Sequence, residues 1–253
     1  MWKHLVLLGF SLMCFSFAIA QSESNISLPT NAQLIVPSYA FQFPAGDLSQ
    51  RFGTNSSVGG QYLLKIKKNW LVGFELSFLF GTRVKDDNIL DSITTSEGLL
   101  INVNGNLLDF GLFERGFSGK IQFGKSIKLG NKKPDSGLML LAGIGMLQHK
   151  IFINVDERDV PQLSNNNKTG YDRLARGFST AQFLGYLFLR KSKFVSFYAG
   201  VEAIQGFTTN KRNFDFHEGI EKNENRTDLL FGIKIGWVLP VFQRSKVEEF
   251  YYN

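Results

Sequence analysis

Cysteine is all but missing from this chain. Its one copy, Cys14, stands inside an apolar stretch at the N-terminus, so a disulfide framework is excluded and, once that stretch is removed, so is thiol chemistry. Proline is scarce too, at 6 residues against 25 Gly and 25 Phe. Beyond the N-terminal stretch no segment reaches helix-spanning length without a charge, and the mean hydropathy of -0.06 is near neutral. Together these exclude a helical membrane protein. No G-x-S-x-G element is present, which removes the usual setting of a hydrolase serine.

What stands at the N-terminus is a leader. Lys3 and His4 precede an apolar run over residues 5–17, and Ala18-Ile19-Ala20 follows as an A-x-A exit, the pattern of a cleaved secretory signal. The run is about 13 residues, short of the roughly 20 that cross a bilayer as a helix. Residues 1–20 are therefore expected to be removed, leaving Gln21 as the mature start. Lipid attachment at Cys14 is set aside, because Leu12 and Met13 make a poor lipobox. The formal charge of +6 and pI near 9.3 would suit nucleic acid. In an exported chain whose basic residues gather in turns, they read instead as solvated ends and headgroup contacts, with no nucleic-acid partner.

The clearest periodicity is over residues 70–81. Trp70, Val72, Phe74, Leu76, Phe78 and Phe80 alternate with Leu71, Gly73, Glu75, Ser77, Leu79 and Gly81, so one face is apolar and the other mostly small or polar. At about 3.3 Å per residue this exceeds the 9–11 residues of a tilted membrane-crossing strand. The end of the chain repeats the pattern: Phe231, Ile233, Ile235, Trp237, Leu239 and Val241 oppose Gly232, Lys234, Gly236, Val238 and Pro240. A lysine among glycines is costly in a dry core and ordinary against a polar lumen.

Eight strands follow on the same basis, at roughly 34–43, 58–66, 69–82, 112–128, 137–152, 177–190, 194–208 and 228–242; the fifth and sixth alternate less cleanly. Short connections (67–69, 130–136, 191–193) alternate with long ones (44–57, 83–111, 153–176, 209–227). The expected fold is an all-β, eight-stranded antiparallel up-and-down transmembrane β-barrel with short periplasmic turns and long extracellular loops, spanning residues 21–253 with a periplasmic tail at 242–253. A secreted β-sandwich is the competitor, but its strands average about 5–6 residues. Arg115-Gly116-Phe117-Ser118 and Arg176-Gly177-Phe178-Ser179 each open a descending strand on this reading, and Gly73-Phe74-Glu75 matches Gly200-Val201-Glu202 on ascending ones.

An eight-stranded barrel is just wide enough to be filled by side chains. Lys65, Glu75, Lys120, Gln122, Glu202 and Lys234 fall on lumen faces, where they either pair and plug the interior or line a narrow ion path. His149, and His217 beside Asp215 and Glu218, are the candidate bases of a lipid-modifying enzyme, yet no nucleophile pairing is visible in the sequence, and no catalytic residue, cofactor or metal is expected. The carboxylates of Asp156-Glu157-Arg158-Asp159 lack the ligand spacing of an EF-hand and contain an arginine, so a salt-bridged loop is expected. Tyr171, Asp172 and Arg173 read as an ordered corner or a partner contact. The tail carries Phe250, Tyr251 and Tyr252 behind Lys246, Glu248 and Glu249; it either extends the last strand or docks a partner, since exposed aromatics want a surface.

With Gly46-Asp47-Leu48 before Arg51-Phe52-Gly53, Gln148-His149-Lys150-Ile151, and Gly170-Tyr171-Asp172-Arg173-Leu174, the chain resembles the uncharacterised outer-membrane β-barrel proteins of Bacteroidota. The Gln after the cleavage site is common there. The resemblance implies an outer-membrane location, contact with outer-membrane lipid and an accessory role beside other envelope proteins, and it carries over no catalytic residues. A narrow channel and a lipid-modifying enzyme are the alternatives.

Overall fold

The computed structural model describes residues 31–86, 88–129, 136–156, 159–163, 165–189, 196–212, 216 and 225–241. The leader, His217 and the tail, with Phe250, Tyr251 and Tyr252, lie outside them.

Eight long strands form one closed sheet: β1 (Ala32–Gly46), β2 (Asn55–Ile66), β3 (Trp70–Gly81), β4 (Gly111–Lys128), β5 (Gly137–Asn154), β6 (Ala175–Phe188), β7 (Phe197–Asn210) and β8 (Asn225–Trp237). Each pairs antiparallel with its neighbour in sequence, and β8 pairs with β1 from Ser38↔Gly236 to Gly46↔Asp228. A short continuation, Leu239–Val241, pairs with Gln33–Ile35. Every strand has two partners, so no edge is left with unpaired backbone groups.

The barrel is inside-out relative to a soluble one. Outward residues are apolar around its whole circumference: Leu76, Ile121, Ile144, Val201 and Ile233 are each 55–66% exposed. The inward set includes Gln61, Glu75, Lys120, Glu202 and Lys234, all buried. The period-2 alternation of the sequence places these two sets on opposite faces.

Several boundaries differ from the sequence reading. β2 starts at Asn55 rather than 58, because Asn55, Ser56 and Ser57 pair with Gln42, Phe41 and Ala40 of β1 despite their turn-like composition. β1 runs on to Gly46, so the first loop shrinks to residues 47–54 and holds one helical turn, Leu48–Arg51. Arg115 lies four residues inside β4 rather than at its opening, since Gly111 already pairs with Asn154. β5 alternates cleanly, with Met139, Leu141, Leu147, Ile151 and Ile153 all buried inward. β6 and β7 shift to 175–188 and 197–210. Lys68 and Asn69, at φ of 60° and 61°, make the first tight turn, a left-handed geometry that asparagine tolerates.

The barrel therefore has a turn end and a loop end. The turn end is floored by an apolar cluster of Leu34, Leu63, Leu71, Met139, Phe183 and Tyr198. At the loop end a second cluster joins the wall residues Leu79, Leu147, Ile151 and Leu230 to loop residues Leu48, Phe52, Ile89, Leu90, Leu100 and Leu163. The described parts of the first three long connections thus fold down as a cap.

Candidate functional site

Between floor and cap, four charged side chains meet at the centre of the lumen. Glu75 (β3) and Glu202 (β7) come from strands four apart in the ring of eight, as do Lys120 (β4) and Lys234 (β8), so each like-charged pair enters from opposite walls. Lys234 Nζ lies 2.5 Å from Glu75 Oε1 and 3.0 Å from Glu202 Oε1; Lys120 Nζ lies 2.5 Å from Glu202 Oε1 and 3.4 Å from Glu75 Oε1. Positive and negative corners alternate in a square with no net charge. That arrangement offsets by pairing part of what burial of each ion costs.

Amides extend the square toward β2. Gln122 Nε2 donates to Glu75 Oε2 at 3.0 Å, and Gln61 Nε2 donates to Gln122 Oε1. Lys65 is buried on the same inward face of β2, nearer the turn end. The long side chains fit because their row contains small residues: from Lys120 it runs through Gly145, Ser179 and Gly206. At Gly145 a Cβ would sit 2.0 Å from the Gly119 carbonyl oxygen, so only glycine allows that close approach.

A second polar cluster lies under the cap. His149 Nε2 is 2.8 Å from Asp228 Oδ2, and Thr208 Oγ1 donates to the same oxygen at 2.5 Å. Imidazole and hydroxyl therefore converge on one carboxylate. An acyl-transfer relay instead needs the hydroxyl on the imidazole, and Phe52 further closes the site, edge-on to the His149 ring at 5.6 Å. Asn55 Nδ2 donates to both oxygens of Glu114 at 3.0 and 2.9 Å.

Three buried arginines tie this cluster to the loops. Arg226 donates to the Asp47 carbonyl at 2.7 Å and lies 3.6 Å from Asp228 Oδ1. Arg51 donates to the Arg173 carbonyl at 3.3 Å, and Arg51 and Arg173 share Asp86. Burial first, then the neighbouring Arg226 and Arg173 charges, lower the Arg51 pKa to about 10, against the pull of Asp86 and Asp228. Arg173 has φ of 47°, a left-handed conformation that these contacts hold in place.

Tyr171, Asp172 and Arg173 are only 5–8% exposed, which corrects the contact-patch reading of these residues. They are the ordered corner: their polar groups are spent on the cap and offer a partner little surface. Arg212 grips Asp172 through Nε at 2.7 Å and NH2 at 2.5 Å, and this hydrogen bonding holds the Arg212 pKa above its ordinary value. The Asp172 carbonyl also accepts from Ile151 N at 2.8 Å. Asp172→Asn is expected to cost about 1–3 kcal/mol locally, seen as faster trypsin cleavage within residues 155–174 of the folded barrel. Unchanged cleavage would show that this clamp does not hold the loop.

The structure thus gathers Glu75, Lys120, Gln122, Glu202 and Lys234 in one network and places Lys65 on the same lumen face. Sequence reasoning passed over Gln61, Asn55, Glu114, Thr208, Arg226 and Asp228. Arg226 and Asp228 share the inward parity of Lys234, and that parity was the signal available for them. Glu157 and Arg158 lie outside the described residues.

One loop element exposes a cluster of apolar side chains. The second long loop carries a small hairpin, Leu100–Ile101 paired with Leu107–Leu108 around Gly105. Leu100 is buried in the cap, whereas Ile101, Val103 and Leu107 are 49%, 58% and 54% exposed. Val103 N donates to the Asp159 carbonyl at 2.9 Å, so the hairpin is held to the third loop.

No family model matches this chain, and no curated protein matches it. Among solved structures it is similar to the attachment invasion locus protein Ail of Yersinia pestis, crystallised with the heparin analogue sucrose octasulfate. The identity is 12%, covering 83% of this chain and 100% of that one, with a TM-score of 0.41. It is also similar to the N-terminal β-barrel domain of Pseudomonas aeruginosa OprF (9%; 82% and 97% covered; TM-score 0.37) and to Neisserial surface protein A (10%; 81% and 96%; 0.38). At these identities the likenesses assign no function to this chain; the closed ring of strand pairs is what makes it a barrel.

Proposed function

We propose that this chain is an integral outer-membrane β-barrel, exported by a cleaved leader and without enzymatic activity, that serves as a structural or accessory subunit for other envelope proteins. The apolar outer wall supports the membrane reading. A closed barrel satisfies every wall hydrogen bond internally, which the bilayer interior demands, and a continuous apolar circumference is far beyond what a soluble monomer exposes. The loop end then faces the cell exterior and the turn end the periplasm.

The accessory role is carried by one observation, the exposed apolar hairpin of the second loop. Ile101, Val103 and Leu107 stand on a loop element, while the lumen below is occupied by the charge square and roofed by the cap. A wall buried in lipid and a filled interior leave the loops as the surface available to a protein partner, and among the described residues of the long loops this hairpin carries three of the four exposed large apolar side chains, Phe216 being the fourth. Phe250, Tyr251 and Tyr252 of the tail would supply a second contact on the periplasmic side.

The test is isolation of the full-length protein from its own outer membrane in mild detergent. A stoichiometric partner is expected, and Ile101→Ser with Val103→Ser and Leu107→Ser is expected to lower its recovery at least about tenfold, as loss of a hot-spot cluster does. A lone monomer, or a partner indifferent to the triple variant, would overturn the loop-docking role.

A further inference from the structure

On the outer wall near the loop end, positive charge gathers on one side only. Arg115 of β4 stands directly opposite Lys150 of β5, and Arg176 of β6 stands opposite Gln148, the next outward position below Lys150. All three point away from the lumen, since their neighbours Glu114, His149 and Ala175 are the buried inward residues. Among the described residues, the corresponding outward positions on β1, β2, β3 and β8 are neutral: Phe43, Ala45, Ser56, Phe80, Thr227 and Leu229.

This cluster sits at the aromatic level of the wall. The Arg115 guanidinium lies 5.2 Å from the Phe113 ring centroid and 5.7 Å from that of Phe152. One step below, Phe117, Phe178 and Phe207 are each at least half exposed. Aromatic girdles mark the boundary between hydrocarbon and headgroups, so the three cations stand at headgroup height.

Among the described residues their charge is poorly matched. Like charges directly opposite on a strand pair repel. Asp172 is 3.8 Å from Lys150 Nζ, but Arg212 already holds both of its oxygens, and Leu174 N donates to Oδ1 at 3.2 Å. Glu114 points inward to Asn55; Arg115 reaches only its backbone carbonyl, at 2.8 Å.

We propose that the Arg115–Lys150–Arg176 face is a binding site for the phosphorylated headgroup of an outer-leaflet glycolipid of the lipid A type, with its acyl chains lying along the apolar wall below. A phosphate between Arg115 and Lys150 relieves their repulsion and accepts charge-assisted hydrogen bonds from both. The exposed rings of Phe117 and Phe178 flank the path of the chains, and Ile121 and Ile144, directly opposite each other, continue it toward mid-wall. This inference rests on the membrane orientation proposed above.

The test uses the full-length barrel in phosphatidylcholine vesicles carrying a minor fraction of diphosphorylated lipid A, with bound lipid counted by native mass spectrometry. The wild type is expected to retain diphosphorylated lipid A and not its dephosphorylated form. Arg115→Gln with Lys150→Gln and Arg176→Gln is expected to lower retention at least about tenfold, since each cation contributes to holding a charged headgroup. Lys125→Gln, which alters an outward cation at the turn end, is expected to leave retention unchanged. Should the triple variant not fold, Arg176→Gln alone is expected to show a smaller loss in the same direction. Equal retention by the variant, or of the dephosphorylated lipid, overturns the site while leaving the barrel in the membrane. Failure of the wild type to insert into vesicles overturns the membrane reading as well.

Discussion

Glu202→Gln is expected to destabilise the folded barrel by about 3–5 kcal/mol, the usual cost of stranding a buried ion. Glu202 Oε1 is the nearer partner of Lys120, at 2.5 Å, and the second partner of Lys234, at 3.0 Å; without it the two ammonium groups share Glu75 alone. The square goes from neutral to a net positive charge among side chains that are all buried. Combining Glu202→Gln with Lys120→Met restores neutrality by leaving the Glu75–Lys234 pair at 2.5 Å, and is expected to recover most of the loss. Urea unfolding in detergent micelles, followed by the mobility difference between folded and unfolded barrel on gels, reads both. A single variant within 1 kcal/mol of wild type would mean that the lumen is wet enough to solvate the orphaned lysines. In that case conductance across a planar bilayer would accompany it.

Most of that square was legible in the sequence, and the reason is parity. Glu75, Lys120, Glu202 and Lys234 each sit between outward apolar residues, so alternation alone puts them in the lumen. Which of them meet is a different matter. The hydrogen-bonded row that leaves Glu75 passes Lys120, Gly145, Ser179 and Gly206 and arrives on β8 at Asp228, three inward positions from Lys234. That stagger follows from closing a tilted sheet. No local pattern encodes it, so the level at which each inward residue sits is invisible until the ring closes.

The same stagger explains what was missed. Asp228 meets His149 and Thr208 from strands 79 and 20 residues away, and nothing near His149 in sequence announces a carboxylate. Asn55 was lost for another reason: Asn55-Ser56-Ser57 has the composition of a loop, but pairing on both sides, with β1 and with Phe80 and Leu79 of β3, draws it into the wall. Tertiary pairing outweighed local propensity there. Tyr171, Asp172 and Arg173 were recognised as a distinctive segment, yet whether a loop corner faces its own cap or a partner depends on contacts such as Arg212 and Asp86, which sequence spacing does not show.

Phe52→Ala should open the cap while leaving the barrel closed. Phe52 is fully buried, packs edge-on against His149 and bridges to Val84 of the second loop. It therefore joins the first loop, the second loop and the lumen cluster at one point. Its truncation is expected to cost about 3–5 kcal/mol, the range for a buried Phe cut to Ala. That cost falls on the loop layer, because the wall strands keep all their backbone pairs. The neighbouring bonds Gly53 N to Arg83 O and Lys85 N to Arg51 O, both 2.8 Å, would lose their anchor, exposing Arg51, Arg83 and Lys85 to trypsin. The expected result is rapid cleavage between residues 47 and 86 at a temperature where the wild type resists, with the barrel still resistant to unfolding by detergent at room temperature. If loops and wall instead fail together, cap and barrel are one cooperative unit, and the cap could not adjust to a docking partner without loosening the wall beneath it.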